Sequence, residues 1–304
     1  MHRTSSPGVR DTSAWMVRVM DRPGNLVTVI IPAHNEARVI GRLLKQLVST
    51  ARPGELDIIV VPNGCTDNTA EVAASFGPPV RVLSLKAASK HDALHMGDRA
   101  AQDFPRLYVD ADVELRIEDV RALEAALQNP SILAAGPERV LAMSGVRWPI
   151  RRYYDVWTRL PRVRTSLFGR GVIAVNQAGH QRMANLPPLL SDDLAAALLF
   201  APDELTIVPG ARVVVYPPRT LGDLLRRRVR VATGVAQIER DESAPRLTAR
   251  TRAADLFAII KHEPRMVLSV MVFAIVTLLA RSRARKAARK RDYSTWLRDE
   301  SSRR

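Results

Sequence analysis

Short apolar runs closed by polar clusters set the rhythm of the first half of the chain. Val27–Ile31 ends at Pro32, Leu56–Val61 at Pro62, Val80–Leu85 at Lys86 and Leu107–Val109 at Asp110. Because these runs are apolar throughout rather than alternating, they predict strands buried on both faces, as in parallel sheets. Helical spacing separates them. Ala37–Ser49 carries Val39, Ile40, Leu43, Leu44 and Leu47 at intervals of three and four, and Glu118–Leu127 places Val120, Leu123 and Leu127 on one stripe. Thr66–Ser75 and His91–Ala101 predict shorter helices. Alternating strands and helices mean βαβ units, hence an α/β fold with a mostly parallel, Rossmann-like sheet flanked by helices.

Beyond Asn129 the pattern loosens. Ile132–Ala135, Val172–Val175, Leu205–Val208 and Arg212–Tyr216 predict further strands, and Leu194–Phe200 a helix. Residues 139–170 are rich in Arg, Trp and Tyr and show no clear period. Residues 1–24 are polar and predict a flexible arm; they lack the apolar stretch of a secretory leader.

The 304 residues are 46% hydrophobic and 25% charged, a globular composition with ample length for a buried core. One cysteine, Cys65, excludes a disulfide framework and predicts a reducing compartment. With no local base beside it, Cys65 reads as a small packed side chain rather than a nucleophile. The net charge of +15 changes the picture only once it is located: residues 281–304 alone carry +7. The excess is largely a property of the tail and predicts an anionic partner.

That tail follows an uncharged stretch, Met266–Ala280, flanked by Arg265 and Arg281. As a helix these residues extend about 22 Å, short of a hydrocarbon core of about 30 Å. A span would also export residues 281–291, seven of which are basic, against the positive-inside rule if the preceding part is cytosolic. The favoured reading is a re-entrant or in-plane membrane helix with the basic tail on anionic headgroups, at the cytoplasmic face of the cell membrane. A packed core helix with a solvated tail and a true span are the alternatives.

In open α/β sheets, ligands bind beyond the carboxyl ends of the strands. Polar residues fall at four such ends: Pro32-Ala33-His34-Asn35-Glu36, Asn63-Gly64-Cys65-Thr66-Asp67, Lys86 with Lys90, and Asp110-Ala111-Asp112. Alternate residues of an extended chain point to one side, so Asp110 and Asp112 are candidate ligands of a hard divalent cation, Mg²⁺ or Mn²⁺, shared with substrate phosphates. Lys86 or Lys90 would then neutralise phosphate charge. Arg226, Arg227, Arg228 and Arg230 are candidates for a diphosphate or a phospholipid carrier, or form a solvated basic face. Gly169-Arg170-Gly171 either lets backbone approach a ligand or makes a plain turn. His34, His91 and His95 do not have zinc spacing.

Taken in order, these motifs resemble a family 2 glycosyltransferase of the GT-A fold. Val27–Glu36 is similar to the family's opening strand and nucleotide loop, and Val61–Asp67 stands where such proteins carry V-D-D-G-S-T-D. Lys90–Gly97 resembles G-K-x-x-A-L-N-x-G, and Asp110-Ala111-Asp112 the D-x-D. Ser191-Asp192-Asp193 resembles the later E-D motif, and Arg227–Arg230 loosely matches an R-x-x-R-W element. The resemblance covers about residues 25–235. It implies inverting transfer from a nucleoside-diphosphate sugar to an acceptor hydroxyl of a glycan or lipid-linked acceptor, in cell-surface glycan or glycolipid synthesis. Asp112, with Asp110, would hold the metal. Pro32, Ala33, His34, Asn35, Glu36, Asn63, Asp67, Lys90, Asp110, Ala111, Arg227 and Arg230 would line the donor site. Asp193, with Asp192 the alternative, would be the base. The departures are Pro62 or Asn63 where an Asp commonly reads uracil, Ser89 for Gly, His95 for Asn and Val231 for Trp; the first argues against a uridine donor.

The chain then divides into an arm (1–24), a catalytic domain (25–240) and a membrane-associating helical segment with a basic tail (241–304). A nucleotidyltransferase on a related sheet lacks support, because the first strand has no Gly-rich phosphate loop. The competing class is a non-enzymatic binder of anionic lipid or nucleic acid driven by the tail. The enzyme reading expects no nucleic acid.

Overall fold

The continuous apolar runs do form strands covered on both faces. In β1 (Val27–Ala33) every residue is buried, and it pairs in parallel with β2 (Leu56–Pro62), Val27 opposite Leu56. Val27, Val29 and Ile31 join one core cluster and Ile30 another, so successive side chains feed opposite layers. A computed structural model describes the protein over residues 26–184, 199–238 and 251–289.

The remaining strands are β3 (Val80–Val82), β4 (Arg106–Val109), β5 (Glu114–Leu115), β6 (Ala134–Leu141), β7 (Val172–Val175) and β8 (Leu205–Val215). Their order in one sheet is β3-β2-β1-β4-β7-β6-β8-β5. The β3-β2-β1-β4 portion is parallel, whereas β7 lies antiparallel between β4 and β6. Strand order reverses between β1 and β4, which makes their carboxyl ends the expected ligand crevice.

One side of the sheet is covered by α1 (Ile40–Val48), which buries Ile40, Leu43, Leu44 and Leu47, and by α4 (Ile117–Leu127), which buries Ile117, Val120, Leu123 and Leu127. The short α2 (Thr69–Ala74) packs beside α1 and β3. On the other side lies α3 (Lys90–Ala100). Two sequence expectations are modified. The strand expected over Val80–Leu85 stops at Val82, after which only spaced bonds continue, Leu83 N–H to Val60 O at 3.0 Å and Leu85 N–H to Pro62 O at 2.8 Å. The two strands expected over 205–216 are one, interrupted where the register against β6 slips between Pro137 and Glu138. The helix expected at Leu194–Phe200 lies mostly outside the described residues.

The region without a clear period holds α5 (Trp148–Trp157) and α6 (Pro161–Thr165). With α8 (Leu221–Ile238), α9 (Ala253–His262) and α10 (Val267–Arg289), α5 forms a separate core in which Ile150, Tyr153 and Trp157 meet Leu224, Ile259, Val270 and Phe273. Phe273 stacks on Tyr153 with ring centroids 4.9 Å apart.

Beneath β4, a half-buried polar network joins α3 to α7 (Gln177–Ala184). Tyr108 donates to Asp98 at 2.8 Å and lies 2.9 Å from His180 Nδ1, while Arg106 Nη1 lies 3.3 Å from His180 Nε2. Nδ1–H donating to Tyr108 and Nε2 accepting from Arg106 satisfies every member, so the imidazole is neutral. Burial lowers its pKa and outweighs the attraction of Asp98, with Arg106 adding repulsion. The unfolded chain therefore takes up a proton near the ordinary value of 6.5 while the fold resists it. The stabilisation is complete above that pH and is lost as pH falls from there toward the folded pKa. Thermal melts should show the midpoint declining from about pH 7 to about pH 5.5 more steeply in the wild type than in His180→Gln; equal slopes would contradict this.

Candidate active site

The chain leaves β4 through Asp110-Ala111-Asp112. Ala111 is buried in the layer below, while the Asp110 side chain keeps 40% of its surface. Asp110 N–H donates to Gly171 O at 2.8 Å, so the end of β4 is tied to the turn that precedes β7. Lys90 opens α3 and places Nζ 2.8 Å from Asp110 Oδ1. Two residues set that position. Ser89 caps the helix by accepting from Asp92 N–H at 3.2 Å. Gly97 lets α3 lie against β1, since a Cβ there would come within 2.4 Å of Ile30 Cγ2. The glycine of the K-x-x-A-L-x-x-G stretch is thus a packing requirement that aims the lysine.

Burial by itself would raise the Asp110 carboxyl. The Lys90 ammonium, through charge and hydrogen bond, and then the guanidiniums of Arg230 and Arg227 outweigh it and hold the pKa below the ordinary value. The arginine run on α8 is divided by its partners. Arg226 pairs with the buried Asp223, which also accepts from Thr220. Arg228 lies over the Tyr153 ring at 5.8 Å. Arg227 and Arg230, one helical turn apart, act on Asp110. Lys90, Asp110, Arg227 and Arg230 come from three separate parts of the chain: Lys90 pairs with the carboxylate directly, and the two guanidiniums act on it through charge.

The β1 and β2 loops form a second group. Pro32 and Ala33 complete β1 opposite Val61 and Pro62. His34 Nδ1–H donates to Asn63 O at 2.6 Å, and the buried Asn63 donates its amide to Ala33 O at 2.9 Å. Asn35, in the left-handed region at φ 53°, accepts from Thr66 N–H at 2.7 Å. Glu36 is buried, and its N–H donates to Thr69 Oγ1 at 2.9 Å. Asp67 accepts from Ala37 N–H at 3.2 Å and Thr69 N–H at 3.1 Å. The loops thus clasp each other beside the switch point, and Asn63 and Asp67 spend polar atoms on that clasp. Cys65 is half-buried within it, 3.4 Å from Asn35 N. Asp192 and Asp193 lie outside the described residues.

Two arginines that sequence reasoning passed over support the Asp110 site. Arg139 donates to Phe168 O at 3.2 Å, Gly169 O at 3.0 Å and Val163 O at 3.1 Å, and its guanidinium lies 4.2 Å from the Trp157 ring centroid. Arg170 donates to Ser166 O and Pro137 O at 2.8 Å and to Arg164 O at 2.7 Å. Burial, with the repulsion of Arg170 and Arg227, brings Arg139 down to about 9; burial brings Arg170 down to about 10. Both stay charged at neutral pH. They brace the turn that carries Gly171, whose φ of +70° and contacts leave no place for a side chain: a Cβ would lie 2.6 Å from Val113 Cγ1 and 3.2 Å from Asp110 Oδ2. Gly171→Ala should therefore cost about 1–3 kcal/mol in backbone strain and displace Asp110. Melting and nucleotide titration should both report the loss; an unchanged titration would mean that the turn does not position the carboxylate.

Among the described residues, no three His, Cys, Asp or Glu side chains gather into a set able to hold a metal unaided. The carboxylates of Asp110 and Asp112, two residues apart in the chain, would suit a hard dication that completes its shell with phosphate and water oxygens.

The family model for glycosyl transferase family 2 matches residues 28–183, which contain the two clasped loops, Lys90 and Asp110–Asp112. The chain belongs to glycosyl transferase family 2. An uncharacterized glycosyltransferase of Mycobacterium tuberculosis is 31% identical to this transferase over 206 residues, covering 66% of this chain and 88% of its relative. The 4,4'-diaponeurosporenoate glycosyltransferase of Staphylococcus aureus is 37% identical over 97 residues, 31% of this chain and 25% of that enzyme. In fold, the transferase is similar to the mannosyltransferase PcManGT of Pyrobaculum calidifontis, solved with GDP-Man and Mn²⁺ (TM-score 0.59, 19% identity, 95% of this chain and 90% of that one). It is also similar to glucosyl-3-phosphoglycerate synthase of M. tuberculosis, solved with Mn²⁺, UDP and glucosyl-3-phosphoglycerate (TM-score 0.54, 18% identity, 79% and 88%). The GT-A-type architecture is thereby shown, and the family places the protein among enzymes rather than tail-driven binders.

Proposed function

We propose that this transferase moves a sugar from a nucleoside-diphosphate donor to an acceptor hydroxyl with inversion, at the cytoplasmic face of the cell membrane, in building a cell-surface glycan or glycolipid. The observation that carries the reading is the carboxylate of Asp110 held among Lys90, Arg227 and Arg230 at the end of β4. A site meant only for a cation would not pair its carboxylate with a lysine and set it in the field of two arginines. A site for a metal–diphosphate pair needs both signs.

In this reading Lys90, Arg227 and Arg230 bind the diphosphate and oppose the charge that grows on it as the glycosidic bond breaks. Asp110 orients the ribose end of the donor, and the clasped loops with Asn63 and Asp67 present the base site. Asp112 and Asp110 would hold Mg²⁺ or Mn²⁺, which when bound supplies Lewis-acid stabilisation of the leaving diphosphate. Asp193 takes the proton from the acceptor hydroxyl as it attacks the opposite face of the sugar, with Asp192 the alternative. The acceptor is a glycan or a lipid-linked molecule, and no nucleic acid takes part.

Calorimetric titration with UDP, GDP, dTDP and CDP, each with and without Mn²⁺, tests the reading. Manganese-dependent binding of one nucleotide supports it and identifies the donor base. Absence of binding by all four, with and without Mn²⁺, overturns it.

A further inference from the structure

Ten large apolar side chains are exposed among the described residues, and seven of them lie on α9 and α10. This is a concentrated patch rather than ordinary scatter. On α10 the apolar residues form two opposite stripes. Met266, just before the helix, and Val270, Phe273, Val276 and Ala280 on it are at most 8% exposed and face α5 and α8. Leu268, Met271, Ile275, Leu278 and Leu279, again three and four apart, are 45–64% exposed, and Phe257 of α9 is 68% exposed. At the end of the outward stripe the chemistry changes within one turn. Leu278, Arg281, Ser282, Arg285 and Lys286 line an open depression, three cations around one hydroxyl.

By length and composition alone, Pro264–Lys286 is able to cross a membrane. Its packing argues otherwise. Spanning would require α10 either to strip its inner stripe from α5 or to carry α8, with Arg226, Arg227, Arg228 and Arg230, into hydrocarbon. Charged residues there are costly. An outward face that is apolar for three turns and then cationic matches a bilayer surface instead: the apolar stripe enters the acyl boundary and the cations meet lipid phosphates.

We infer that α10 lies in the plane of an anionic bilayer, its outward stripe Leu268–Leu279 embedded and a lipid phosphate seated among Arg281, Ser282, Arg285 and Lys286, so that the catalytic domain is carried on the membrane by its own packed helix. This deepens the membrane-face reading and does not depend on the transfer chemistry.

The test uses the full chain with vesicles of equal parts phosphatidylcholine and phosphatidylglycerol, without donor. Wild type should co-sediment, far less so with phosphatidylcholine alone or at high salt. Met271→Glu/Ile275→Glu should lower partitioning at least about tenfold, since two half-exposed apolar side chains are withheld from lipid. Arg285→Glu/Lys286→Glu should remove the preference for phosphatidylglycerol. Melting curves in solution should match wild type in both, because these side chains face outward. In a Cys65→Ser background, labelled Leu268→Cys and Leu278→Cys should report the same shallow depth by quenching. Depths differing by about 15 Å would mean a span and overturn the inference. Undiminished binding by Met271→Glu/Ile275→Glu would mean that the tail alone holds the membrane; this overturns the embedded face but leaves the membrane location standing. Absence of wild-type binding overturns both. A wild-type dimer that Met271→Glu/Ile275→Glu converts to monomer would assign the face to a second copy and also overturn it.

Discussion

Asp112→Ala should lower sugar transfer by about 10²- to 10³-fold, the scale of losing one preorganised electrostatic contact to a developing charge. It should also abolish the gain that Mn²⁺ adds to nucleoside-diphosphate binding. Asp193→Ala should lower transfer by about 10²- to 10⁴-fold, as expected for a general base, with metal-dependent nucleotide binding intact. The division is the one the family resemblance implies, with Asp112 on the metal and Asp193 as the base. Asp110 is already engaged by Lys90 at 2.8 Å and sits in the field of Arg227 and Arg230. A dication approaching Asp110 competes with those cations, and Asp112 is the metal holder that the family resemblance implies. Initial rates with the donor identified by titration, together with nucleotide binding with and without metal, measure both effects. Equal loss of nucleotide binding in the two variants would undo the assignment of roles.

Phe273→Ala should destabilise the fold by about 3–5 kcal/mol, the usual cost of emptying a buried aromatic site. Phe273 is 2% exposed and stacks on Tyr153, itself fully buried. The cavity would open between α5 and α10, where rigid helices on both sides limit collapse. Tyr153→Phe should behave oppositely. The Tyr153 hydroxyl is buried with no hydrogen-bond partner among the described residues, and burial pushes its pKa up to about 12. Removing an unsatisfied hydroxyl while keeping the ring should be neutral or stabilising by about 1 kcal/mol. Chemical unfolding of the three proteins reads both effects. If α10 stood apart from the catalytic domain, Phe273→Ala would leave the domain's stability unchanged.

The parallel half of the sheet was legible because both of its faces are covered by local βαβ units, so each strand shows as an unbroken apolar run. The site motifs were legible for a related reason. Strand ends and helix starts are where backbone groups lack partners, and Asp110, Lys90 and Asn63 stand out as polar residues directly beside apolar segments. The antiparallel insertion of β7 was not legible, since Val172–Val175 carries no mark of its direction. Nor was α5, although Ile150, Tyr153, Tyr154 and Trp157 have helical spacing; the intervening arginines and aromatics hid the stripe.

Local pattern was enough for the α/β class, for the polar ends of β1, β2 and β4 and for the uncharged character of Met266–Ala280, because each depends on neighbours within a turn or a strand. Long-range packing assigned the rest. It chose Arg227 and Arg230 from a run of arginines, since helix rotation sends Arg226 to Asp223 and Arg228 to Tyr153. It turned Arg139 and Arg170 into braces, because their donors are satisfied by carbonyls of a turn distant from Arg139 in sequence and by backbone across the sheet. It also gave α10 one buried and one exposed stripe, a distinction that composition cannot carry when both stripes are apolar.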